Sequence, residues 1–109
     1  MIVGAVLMLT LKQFSDLLRE KFPVDRPVRV RTCKMPLSDR NSGDRLYGDV
    51  QENADHYLIR LNKDHELCIQ KDTLMHEWAH CMAGWENLEN CHNEKWGICY
   101  ARIYQEIFG

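Results

Sequence analysis

Apolar residues at Leu11, Phe14, Leu17, Leu18 and Phe22 recur every three or four positions. Lys12, Asp16, Arg19 and Glu20 fall between them, the pattern of a helix that buries one stripe. Thr10 and Gln13 fit a capping box at its start, and Pro23 and Pro27 close the helical region. The period then shortens. Residues 28–35 alternate loosely and are rich in β-formers, and residues 46–51 and 56–62 read as two further strands. The polar cluster 38–45 and the short stretch 52–55 join them, so the segment predicts a three-stranded antiparallel meander. From Asp64 the helical period returns through Ala83, with Gly84 as its stop. A polar loop over 85–91 leads to a last helix over 92–108, with Trp96, Cys99, Tyr100, Ile103 and Ile107 on one face. Helix, three strands, helix, helix is an α+β order.

The length, 109 residues, fits one domain over 1–109, with a hydrophobic fraction of 45% and a charged fraction of 28% that argue against overall disorder. A net charge of −2 supplies no basic footprint for a dedicated nucleic-acid binder. The apolar run 1–9 falls short of the roughly 20 residues that span a bilayer and has no basic flank of a signal peptide. It reads as a short buried strand or as an upstream extension, with Met8 as an alternative initiator. Five cysteines without a CxxC pair read as free thiols of a reducing, cytoplasmic compartment. A structural zinc drawn from Cys81, Cys91 and Cys99 is disfavoured by their irregular spacing. Arg29, Arg31, Arg40, Arg45 and Arg60 read as a solvated sheet face.

The chemistry concentrates at His76-Glu77-Trp78-Ala79-His80, an HExxH sequence within the best helical segment. Residues four apart are neighbours on one helix face, so both imidazoles can reach one Zn2+ ion. Glu77 sits beside the first ligand, placed to handle a proton of water without ligating the ion. A catalytic zinc needs a third protein ligand. His92, beyond the Gly84 stop and opening the last helix, is the first choice, and Glu86, Glu89 and Glu94 compete with it, since a His2Glu set is equally sound zinc chemistry. The bland alternative makes His76 and His80 core histidines and Glu77 a surface acid. His56 and His65 carry no motif and read as surface or strand-end residues.

LMHEWAH, then a loop, then HNEKW resembles the SprT-like and related minimal zincin metallopeptidases. The resemblance implies a compact zincin-like fold and hydrolysis of a peptide or protein substrate. It maps His76, His80 and His92 to metal, Glu77 to catalysis and Trp96 to an aromatic one turn after the third ligand. It also implies a substrate bound along a sheet edge, with no strand singled out. The family often has Gly after the third His, where this chain has Asn93. Tyr100 and Tyr104 are the phenols available as oxyanion donors. The competing readings are a latent or non-catalytic zinc-binding regulatory module and a repressor-cleaving protease of the ImmA/IrrE type.

Overall fold

The structure, a computed structural model, describes residues 6, 8–37, 45–84 and 93–109. Helix α1 (Leu11–Lys21) is followed by strands β1 (Val28–Cys33), β2 (Gly48–Glu52) and β3 (Tyr57–Asn62), then by helices α2 (Leu67–Ala83) and α3 (Glu94–Phe108). The α+β order stands. The capping box forms in full: Gln13 N–H donates to Thr10 Oγ1 at 3.1 Å, and Thr10 N–H to Gln13 Oε1 at 2.9 Å. Phe14 and Leu18 of the stripe are fully buried. Of the apolar run 1–9, Val6 is helical and buried, not part of a strand, and its carbonyl accepts from the buried Lys71 ammonium of α2 at 3.0 Å.

The antiparallel meander is corrected. The strands lie in the order β1-β3-β2, with β1 parallel and β2 antiparallel to β3. Alternation marks which residues face a core and says nothing of which strand is the neighbour. β3 takes the centre because it is the most apolar strand: Tyr57, Ile59 and Leu61 fill the helix side, and half-buried Leu58 lies on the other. Only β2 and β3 are joined by a tight turn, closed by Asn53 N–H on the His56 carbonyl at 2.9 Å. The longer excursion from β1 carries the chain past β3, and Leu37 and Arg45 pair across its base. The arginine expectation is corrected in part. Arg29 and Arg31 are exposed, but Arg45 donates to the Met35 carbonyl at 2.8 Å, Arg60 is forked onto Asp49, and Arg40 lies outside the described residues.

Among the described residues, α2 covers one face of the sheet, with α1 and α3 packed against it. α2 packs on β2 and β3 and against α1 and α3, so its inner side (Leu74, Met75, Trp78) forms the middle of the core. Cys33, Cys68, Cys81 and Cys99 are free thiols, and no helix among the described residues is long and apolar enough to cross a membrane.

Candidate metal and catalytic site

Helix α2 starts at Leu67, later than its sequence pattern suggests, and ends where Gly84 adopts φ 82 and donates its N–H to the His80 carbonyl at 3.0 Å. That left-handed turn suits glycine. Trp78 fixes the rotation of the helix. It is 0% exposed, and its indole N–H donates to the Phe22 carbonyl at 3.0 Å. With Trp78 inward, the helical period turns Thr73, His76, Glu77 and His80 to the side.

His76 and His80 come together. Their ring centroids are 5.2 Å apart at 70°. Two imidazoles that share a tetrahedral ion through nitrogens about 2.0–2.1 Å from it have centroids roughly 5 Å apart, so the pair fits two corners of a zinc site. His92, Glu86 and Glu89 lie outside the described residues. Glu94 is the exposed first residue of α3. Among the described residues, no group of three or more His, Cys, Asp or Glu is arranged to hold a metal ion.

α3 supplies the second wall. It begins at Glu94 rather than at His92, because Asn93 is the cap: its Oδ1 accepts from Trp96 N–H at 3.0 Å. This is the position where the resembling family often has Gly, and here its side chain sets the turn that delivers Trp96. Trp96 stacks on His80 (5.5 Å, 29°), meets His76 edge-on (4.9 Å, 61°) and donates its indole N–H to the His76 carbonyl at 3.2 Å. Tyr100 stacks on Trp96 at 5.3 Å, and its hydroxyl donates to Asp72 at 3.2 Å. Burial, and then Asp72, hold the Tyr100 phenol above its ordinary pKa. Tyr104 lies a turn further on and is half exposed.

Glu77, the acid of the motif, is enclosed, with a side chain 12% exposed and an oxygen 3.9 Å from His76 Nε2. Burial, and then the charge of Asp49, push its carboxyl up to about 7. Asp49 comes from β2, where the Arg60 guanidinium grips both its oxygens. Burial, and then Glu77, push the Cys81 thiol well up, so it packs as a neutral side chain.

Strand β2 reaches this close to α2 because residue 48 is glycine. A Cβ there would lie 2.7 Å from the Arg60 carbonyl and 2.8 Å from Thr73 Cγ2, one turn before His76. The ladder also fixes what the strand offers. Tyr47 accepts from Asn62 N–H at 2.9 Å, and Asn53 donates to His56 at 2.9 Å. Antiparallel pairs alternate, so the backbone groups of Tyr47, Asp49, Gln51 and Asn53 turn inward to β3, and those of Gly48, Val50 and Glu52 turn to the outer edge, which no strand among the described residues pairs with. At the start of the other edge of the sheet, the Arg19 guanidinium donates to the Val28 carbonyl at 3.1 and 2.9 Å.

Sequence reasoning named His76, Glu77, His80 and Trp96 but missed Gly48, Asp49 and Asp72. A glycine inside a strand was the one available signal. Comparison of the chain with family models, with curated proteins and with solved structures finds no match.

Proposed function

We propose that the protein is a zinc-dependent peptidase. The observation that carries this reading is the pairing of the His76 and His80 rings, 5.2 Å apart on one side of α2, beside the enclosed Glu77. His76 and His80 would hold the ion, with His92 the first choice for the third ligand and Glu86, Glu89 and Glu94 the alternatives. Bound zinc supplies Lewis-acid polarisation of a carbonyl and of water. Glu77 takes the proton released as water attacks a peptide carbonyl and returns it to the departing amine. Trp96 fixes the His76 backbone and the His80 ring plane from behind. An extended substrate pairs with the outward backbone groups of Gly48, Val50 and Glu52, as peptides add to open sheet edges elsewhere.

A second reading, a zinc-binding module without turnover, is favoured by one observation. The Tyr100 hydroxyl donates to Asp72, which leaves that proton committed away from a developing oxyanion. Metal analysis and casein cleavage by wild type and by Glu77→Gln separate the two. The peptidase reading expects about one zinc per chain in both proteins and cleavage in wild type alone. Zinc in both with cleavage in neither supports the module, and equal cleavage in both removes Glu77 from the chemistry.

A further inference from the structure

Tyr47 precedes β2 and is 60% exposed, unusual for an aromatic fixed by the backbone of a ladder. Its ring is also fixed. The His65 ring meets it edge-on, with centroids 4.5 Å apart at 64°. That position leaves the His65 Nδ1 buried without a hydrogen-bond partner among the described residues, an arrangement that costs stability. Nor does the His65 ring close its own turn. Asn62 does that, accepting from Asp64 N–H at 2.9 Å, His65 N–H at 3.2 Å and Gln70 Nε2 at 3.0 Å. What the ring does meet among the described residues is the solvent-facing Tyr47.

Tyr47 stands in line with the open edge. Gly48, the next residue, is the point where β2 touches α2 at Thr73, and Glu77 is one turn further along the helix, in the field of Asp49. Asp49 is two positions along the strand from Tyr47, roughly 7 Å of extended chain. A peptide lying along β2 with its reacting carbonyl near Glu77 therefore brings a side chain two or three residues away against Tyr47. Directly opposed side chains on neighbouring strands interact, and aromatic pairs and aromatic–β-branched pairs do so most favourably.

We propose that Tyr47, buttressed by His65, is a specificity-determining subsite that selects an aromatic or β-branched side chain two or three residues from the cleaved bond. The proposal rests on the peptidase reading for the word "cleaved" and on the open edge of β2 for the binding mode. The test uses the full-length, zinc-loaded protein with a peptide set that varies one position at a time between Ala, Val, Phe and Lys. Wild type is expected to favour Phe and Val at one such position by about 3- to 10-fold in kcat/KM. Tyr47→Ala loses that preference through KM, and Tyr47→Phe keeps it. A preference that survives in Tyr47→Ala, or no preference at any position in wild type, overturns the proposal. The same peptides are also titrated against zinc-loaded Glu77→Gln with and without Tyr47→Ala, with fluorescence anisotropy as the readout. Tyr47-dependent binding without cleavage by wild type rejects the peptidase and keeps the subsite. Binding indifferent to Tyr47 rejects the subsite whatever becomes of cleavage.

Discussion

The two flanks of α2 are each held by a tryptophan that donates its indole N–H to a backbone carbonyl, and they differ in what surrounds that bond. On the inner flank Trp78 is wholly enclosed by apolar side chains and reaches the Phe22 carbonyl. On the outer flank Trp96 is half-buried, reaches the His76 carbonyl and rests against two imidazoles. The first contact orients the helix as a body. The second ties the last helix to the His76 backbone and seats the two imidazoles that α2 presents. Anchoring in the core and seating of the candidate ligands are thus separable along a single helix.

Trp78→Ala is the largest disturbance. It opens a cavity at the middle of the core and should cost about 3–5 kcal/mol in denaturant unfolding. A loss under 1 kcal/mol would show that the inner flank does not anchor the helix. Glu77→Gln should reverse the signature: zinc content and unfolding midpoint stay near wild type while casein cleavage falls by about 10²–10⁴-fold. Trp96→Phe keeps an aromatic ring against the histidines but removes the indole donor. It should cost about 1 kcal/mol of stability and lower zinc affinity by roughly tenfold, measured by competition with a chelator. Unchanged affinity would reduce Trp96 to packing. The smallest effect lies under the inner flank. Tyr57 donates its hydroxyl to Asp25 at 3.1 Å, and burial, then that bond, push its phenol from 10.0 up to about 12. A phenol raised on folding contributes stability in full below pH 10 and loses it as pH climbs through about 12. Tyr57→Phe should therefore flatten the stability curve over that window, with zinc content untouched.

Helices were more legible than the sheet, and the inner flank more than the outer. Helical elements are coded by neighbours three and four residues apart, so Thr10, Gln13, Phe14 and Leu18 sufficed to place the first one with its cap. The last helix starts two residues later than the sequence pattern predicts, because Asn93 does the capping. Strand order has no such local code. Nothing in residues 28–62 announces that β1 pairs with β3 in parallel, and the decision falls to burial of the apolar β3 between two partners. The candidate site divides in the same way. His76, Glu77 and His80 lie within one turn of helix and were readable from spacing, whereas Asp49 and Asp72 enter through tertiary contacts with Arg60 and Tyr100.

The forked grip of Arg19 on the Val28 carbonyl has a consequence for crowding. It occupies one outward carbonyl at the start of β1, so a strand that added to that edge would have to displace the guanidinium there, a local penalty of the kind that discourages edge-to-edge growth.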